Sequence, residues 1–280
     1  MTDLMLAPLV AALVLIILHA YLGIHIIARG VIFVDLALAQ VAALGFTSAT
    51  LMGFEPGSLA GYLLSVTATL IGAAILSVSR IKHEYVTQEA LIGAVFVTAS
   101  AATILLAAQA PRGSEHVEEL LTGTLLWVTW AEIWQTAIIY AVVGGIHWLL
   151  REKFLTISLK PGEAAAKGWR LRWWDFVFYG LFGVVVTSSV GIAGVLVVFS
   201  FLVIPAVIAF MFAKKPAQLL AVAWAVGIVS TVLGLFASFQ FDLPTGPVIV
   251  CVFALALLLA LVVHRIRASG QAEVNPADGG

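Results

Sequence analysis

Of the 280 residues, 62% are hydrophobic and only 10% are charged, and the mean hydropathy is +1.11. Soluble domains carry about 25% charged residues; no soluble fold of this size can hide so much apolar surface, so the solvent must be lipid. The net charge of −1 decides little, whereas the single cysteine, Cys251, excludes internal disulfides and any cysteine-based metal cluster.

A helix needs about 20 apolar residues to cross roughly 30 Å of hydrocarbon. Nine candidate runs follow one another along the chain: 6–27, 31–52, 59–78, 90–110, 133–150, 176–190, 192–213, 217–238 and 248–263. The start, Met-Thr-Asp-Leu-Met, has no basic residue, so the first run is expected to stay as a span and not to be cleaved as a signal peptide. The sixth and seventh runs form one apolar region broken only by Thr187-Ser188-Ser189-Val190-Gly191. That region reads either as a tight hairpin of two spans or as a broken, re-entrant element. The expected fold class is an all-α polytopic membrane protein of eight or nine spans, one domain over 1–267. A tail over 268–280, with Gly, Asn, Pro and Asp and no apolar periodicity, is expected to be disordered.

With the N-terminus outside, nine spans place the loops at 28–30, 79–89, 151–175 and 214–216, and the tail, on the cytoplasmic side. Thirteen of the fourteen basic residues then lie inside, with only Arg112 outside, as the positive-inside rule demands. Trp127, Trp130 and Trp134, and separately Trp169, Trp173 and Trp174, cluster beside span ends as interfacial aromatics do. The outer segment 111–132, with Glu115, His116, Glu118 and Glu119 ahead of an apolar run, reads as a short surface helix.

No Gly-x-x-x-x-Gly-Lys-Ser/Thr loop occurs, so this chain does not bind ATP by that route. No Gly-x-Ser-x-Gly, Cys-x-x-Cys or His-Glu-x-x-His is present either, which points away from an enzyme. Polar groups within the spans are sparse: His19, Asp35, Gln40, Gln109, His147 and some Ser and Thr. Asp35 stands out, because a carboxylate inside hydrocarbon costs several kcal/mol and marks a functional site by default. At 1.5 Å per residue it sits about five residues, roughly 8 Å, from the cytoplasmic end of the second span, and His19 about eight residues, roughly 12 Å, from that end of the first. Treated as antiparallel neighbours, the two spans would bring His19, Asp35 and Gln40 to one level of a pore, and carboxylate plus imidazole suits Mn²⁺, Fe²⁺ or Zn²⁺. The competing readings are a hydrogen-bonded core histidine for His19, a helix–helix contact for Gln40, and pairing with Arg29 for Asp35. His25 reads as solvated near the interface. Ala37, Ala39, Ala42, Ala43 and Gly45 make the second span slim, while Gly180, Gly183, Gly191, Gly194 and Pro205 mark where later spans would bend.

Four stretches, in order, carry a resemblance. They are Arg29 to Gly45; Glu89-Ala-Leu-Ile-Gly-Ala-Val-Phe96 with Leu121-Thr-Gly-Thr-Leu-Leu-Trp-Val-Thr-Trp-Ala-Glu132; Gly162-Glu-Ala-Ala-Ala-Lys-Gly168 with Gly191-Ile-Ala-Gly-Val-Leu-Val-Val-Phe-Ser-Phe-Leu-Val-Ile-Pro-Ala206; and Asp242-Leu-Pro-Thr-Gly-Pro-Val-Ile-Val250. Together they resemble the membrane-spanning permeases of bacterial ABC importers for zinc, manganese and iron. The resemblance implies a type II ABC importer permease in the inner membrane, its C-terminus cytoplasmic, acting as a homodimer in lipid. Two ATP-binding cassette subunits would hold ATP and Mg²⁺, and a periplasmic metal-binding protein would deliver the cargo; no nucleic acid is implied. Gly162, Glu163, Ala164, Lys167 and Gly168 would form the cytoplasmic coupling helix, and Gly191, Gly194 and Pro205 would serve flexibility and gating. Such permeases typically carry His four residues after the Asp. Here that position is Ala39, with Gln40 next. Only Asp35 carries over, His19 is a spatial substitute, and zinc, manganese, iron or a metal chelate all stay open as cargo. The alternatives are a siderophore-type ABC permease and a secondary transporter using Asp35 as a proton site.

Overall fold

The computed structural model describes residues 2–55, 57–78, 87–109 and 113–274. Among them every regular element is helical: α1 Thr2–Arg29, α2 Val34–Leu51, α3 Leu59–Val78, α4 Gln88–Ala107, α5 Gly113–Thr122, α6 Trp130–Leu149, α7 Arg151–Leu159, α8 Pro161–Ala166, α9 Leu171–Phe212, α10 Pro216–Phe241 and α11 Thr245–Val274, with a 3-10 turn at Leu125–Trp127. Arg80, Lys82 and Arg112, used above to orient the chain, lie outside the described residues, as do the side chains of Glu115 and His116.

Local chemistry sets the helix ends. Gly30 has φ +67°, and the amides of Gly30 and Val31 donate to Ile27 and Ile26, the paired bonds of a Schellman stop that ends α1. Thr129 and Glu132 form a reciprocal capping box that starts α6. Short α8 opens with Pro161 at its first turn and closes at Gly168, φ +70°, so a single rigid turn and a half projects between α7 and α9.

Seven helices are long and apolar enough to cross a membrane, and α6 with α7, bent by 74°, is an eighth unit. At 42 residues α9 is about 63 Å long if straight, twice the hydrocarbon thickness. It is not straight. Gly194 sits inside it at φ 75°, ψ 160°. Before that residue α9 runs antiparallel to α1, with Asp175 against Arg29, Phe178 against His25 and Ser189 against His19. After it, Ala206, Ala209 and Ala213 pack back against Ala20 and Ile24. A straight helix would have left α1 behind by then, so α9 is a hairpin of two limbs with its apex at Gly194. Of the two readings of this region, the hairpin is the one observed; counted with it, the crossings number nine among the described residues.

The first limb of α9 is the spine. It packs against α1, α2 and α3, and the second limb meets α10 and α11. One buried core runs from Ala11 to Phe253 through these helices. Glycines let backbones approach: a Cβ at Gly23 would fall 1.9 Å from the Leu202 carbonyl oxygen, and one at Gly45 2.5 Å from Ser65 Cα. Faces of α3, α4, α10 and α11 turned away from the core expose Leu63, Leu105, Leu233 and Leu259, the surface expected to meet lipid. α11 is helical to Val274. One expectation needs correction: α1 does not pack extensively on α2, whose partners are α3, α4 and α9.

Candidate functional site

A cavity of about 380 Å³ opens at the end of the bundle that carries α5. Glu55, Glu119 and Glu132 stand around it, with Tyr62 and Thr124, and its floor is made by Thr136, Thr187 and Ser188. The floor hydroxyls belong to the first limb of α9 and to α6, just below the hairpin apex. Thr187 Oγ1 lies 3.0 Å from Thr69 Oγ1, which itself donates to the Ser65 carbonyl.

Beneath the floor lies a sealed polar layer. His19 Nδ1 is 2.8 Å from the Leu15 carbonyl, its Nε2 3.3 Å from Ser189 Oγ, and Tyr140 Oη approaches the same ring at 3.5 Å. Both ring nitrogens are therefore engaged, which is the core-histidine reading. Asp35 differs. It is 1% exposed, and neither carboxylate oxygen has a hydrogen-bond partner among the described residues. It stands on the first turn of α2, one turn before Leu38. Leu38, one turn on along the same face, packs toward Gly72 and Gly183, and these two glycines are what let α2 bring its carboxylate so close to α3 and α9.

Gln40 is buried but five residues from Asp35, about 140° around the helix at 100° per residue. It therefore faces another neighbour. Among the described residues no hydrogen bond joins Asp35 to His19 or Gln40, and α9 packs against both α1 and α2. No group of three or more His, Cys, Asp or Glu side chains able to hold a metal exists among the described residues.

Further along the bundle an aromatic plug closes the path. Phe178 and Phe182 stack at 6.2 Å, and Phe154 meets Phe178 at 5.6 Å; all three are fully buried. His25 and His147 are embedded in it, ring centroids 6.3 Å apart with Tyr21 edge-on to both. His25 is 1% exposed, not solvated as its position near a span end suggested. The bend of α6 into α7 folds Phe154 over this end and so buries it. Past the plug, Arg29 ties α1 to α7 and α9, and α8 projects beyond. Asp175, 2% exposed and ion-paired to Arg29 at 2.7 Å, is a buried carboxylate that the sequence reading left in a loop. The signal was available: Asp175 is followed by an uncharged run to the end of α9, which placed it on the apolar helix and not before it.

Comparison with known proteins decides the family. The profile of the ABC 3 transport family matches residues 1–264. This chain belongs to the ABC 3 transport family. Relatives include the chelated iron transport system membrane protein YfeD of Yersinia pestis, 26% identical over 259 residues covering 92% of this chain and 85% of that one. The manganese transport system membrane protein MntC of Listeria monocytogenes is 26% identical over 246 residues, 88% of this chain and 85% of that one. Among solved structures, PsaBC from Streptococcus pneumoniae in complex with Fab superposes with a TM-score of 0.77 at 22% identity, covering 91% of this chain and 89% of that one, which shows the shared fold.

As an ABC 3 permease the chain is a multi-pass membrane protein with a transport role. The segment 162–168 that resembled a coupling helix is the projecting α8, where Ala164 is buried at the root, Lys160 bonds Glu163 at 2.8 Å, and both charges face solvent. Ala39, at the position where the resemblance has His, is 1% exposed and packed among apolar neighbours. Gly194 is the strained apex of the hairpin, Gly191 a helical residue with open space at its α-carbon, and Pro205 lies within the second limb near Gly227.

Proposed function

We propose that this chain is the permease of an ATP-driven importer that moves a divalent transition-metal ion inward across the bacterial inner membrane by alternating access. The observation that carries the reading is Asp35: a carboxylate 1% exposed, with both oxygens unpartnered, below a carboxylate-rimmed cavity. An unpaired buried charge is retained at a cost of several kcal/mol only where something visits it. A passing cation supplies the missing partner, and the hydroxyls of Thr187, Ser188 and Tyr140 offer it oxygen donors on the way. The α5 end is then periplasmic and receives the cation from a binding protein, while α8 is cytoplasmic and seats in an ATP-binding cassette subunit. Two copies of this chain and two ATPase subunits complete the transporter. Manganese and iron come first as cargo, since relatives named for them share most of the chain; zinc fits the same oxygen-rich path less well than a histidine-rich one.

A metal chelate is the second reading, favoured by the cavity volume of about 380 Å³, which exceeds what a bare ion needs. The deciding measurement is ATP-dependent uptake of radiolabelled manganese, iron or zinc, free or chelated, into proteoliposomes holding the complete complex. Uptake driven by a pH gradient in the absence of the ATPase would replace this reading with proton-coupled transport through Asp35.

A further inference from the structure

The α8 projection is bracketed in sequence by two buried polar residues, Ser158 on α7 and Asp175 on α9, and one side chain from a third helix holds both. Arg29 Nε donates to Ser158 Oγ at 2.8 Å, and Arg29 Nη1 donates to Asp175 Oδ1 at 2.7 Å. The guanidinium carbon sits over the Phe178 ring, 3.9 Å from its centroid. His25, one turn back on α1, brings Nδ1 to 2.9 Å from the same Ser158 Oγ. Exposures of 6% for Arg29, 2% for Asp175 and 3% for Ser158 put the junction out of reach of bulk water.

We infer that Arg29, Ser158, Asp175 and His25 form a mechanical hub that makes α8 move as one body with α1 and the first limb of α9, so that a displacement imposed on α8 is delivered to the transport layer. This rests on α8 being the ATPase contact, as proposed above. The reason is the cost of the alternative. If α8 shifted without α1, α7 would slide past Arg29 and leave a desolvated guanidinium or carboxylate without its partner, the expensive outcome for a buried ion pair. A planar guanidinium held on two bonds and a ring face also fixes direction as well as distance. The same two helices carry the other end of the path: α1 holds His19, and α9 holds Thr187, Ser188 and Ser189. From Asp175 to Ser189 is 14 residues, about 21 Å of unbroken helix at 1.5 Å per residue. The hub and the cavity floor are thus opposite ends of one rigid rod. α2, which holds Asp35, supplies no side chain to the hub, so the hub does not itself tie the carboxylate to the rod.

Arg29, Ser158, Asp175 and His25 are positioning residues, since none of them lines the cavity. The test reads metal ions moved per ATP hydrolysed in the reconstituted complex, a ratio that a purely structural loss would not change. Ser158→Ala removes one hydroxyl and keeps the ion pair; Asp175→Asn keeps volume and removes the charge. Both are expected to leave complex assembly intact and ATP turnover within about twofold, while the ratio falls at least about fivefold, the range of typical inter-site coupling. Ser158→Thr, which keeps the oxygen, is expected to restore most of it. Should Asp175→Asn fail to assemble, Ser158→Ala carries the decision, because its ion pair is untouched. A ratio equal to wild type in Ser158→Ala overturns the hub while leaving the transport reading in place. A wild-type complex that hydrolyses ATP and moves no metal ion overturns the transport reading, and the hub with it, before any substitution is made.

Discussion

Asp35 and Gly194 are the residues where sequence and energetics part company most sharply, each in an arrangement that costs stability. A carboxylate buried without partners is expected to be better tolerated as its amide. Asp35→Asn should therefore fold and assemble normally, with thermal stability unchanged or raised, while uptake falls at least about tenfold, one factor of ten being about 1.4 kcal/mol of lost interaction with the cation. Retained uptake at the wild-type rate would remove Asp35 from the path. Gly194 combines φ 75° with backbone atoms of Thr122 and Gly123 within 2.7 Å of where a Cβ would sit. This combination of φ and ψ, essentially confined to glycine, alone costs about 1–3 kcal/mol for an L residue, and displacing backbone adds to it. Gly194→Ala should lower the unfolding temperature in detergent, whereas Gly191→Ala, three residues away on the same helix with nothing within 4 Å, should be neutral or mildly stabilising. Equal effects at the two positions would contradict the apex assignment.

At the scale of the element, α8 is designed for contact and not for stability. Its six residues are too few to hold a helix alone, so Pro161, the Gly168 turn and the buried Ala164 fix it from its two ends and its root. The Lys160–Glu163 pair, with side chains 64% and 54% exposed, contributes little to folding. Replacing Glu163 and Lys167 together by Ala is accordingly expected to leave the melting temperature of the permease unchanged and to sever ATP hydrolysis from uptake. Parallel assays of phosphate release and metal accumulation would expose a double variant that still couples the two, and with it an error in placing the ATPase at α8. The α6–α7 pair shows a different use of an element: its 74° bend lays Phe154 across the plug, so the closed end of the bundle is a consequence of one helix turning a corner.

The molecule as a whole is open at the α5 end and closed by aromatics and the Arg29 junction at the other; under the proposed function this is the outward-facing half of an alternating cycle. Accessibility should reflect this. In a background where Cys251 is replaced by Ala, Ser188→Cys on the cavity floor should react with a hydrophilic thiol reagent added from the α5 side, and Thr231→Cys, fully buried between helices, should not. A non-hydrolysable ATP analogue on the assembled complex should slow Ser188→Cys labelling from that side by about tenfold or more, the size of a typical two-state shift. Labelling that is indifferent to nucleotide would mean that the cavity is not part of the cycle.

Membrane character, helix content and the number of crossings were legible in the sequence, because hydrocarbon imposes a length and an apolarity on any helix that spans it and composition reports both directly. The motif string was legible too, and with it α8 and Asp35, since a charge in an apolar run has no inconspicuous explanation. What composition does not carry is which helices touch. Only the tertiary structure set α9 against both α1 and α2 and engaged His19 with Ser189 and Tyr140. It alone buried His25 and turned Asp175 from a loop acid into the partner of Arg29, 146 residues away in sequence. The reason is physical. In lipid every spanning helix satisfies its own backbone, so each span is written locally, but the contacts between spans depend on small residues and complementary surfaces whose partners the chain does not name.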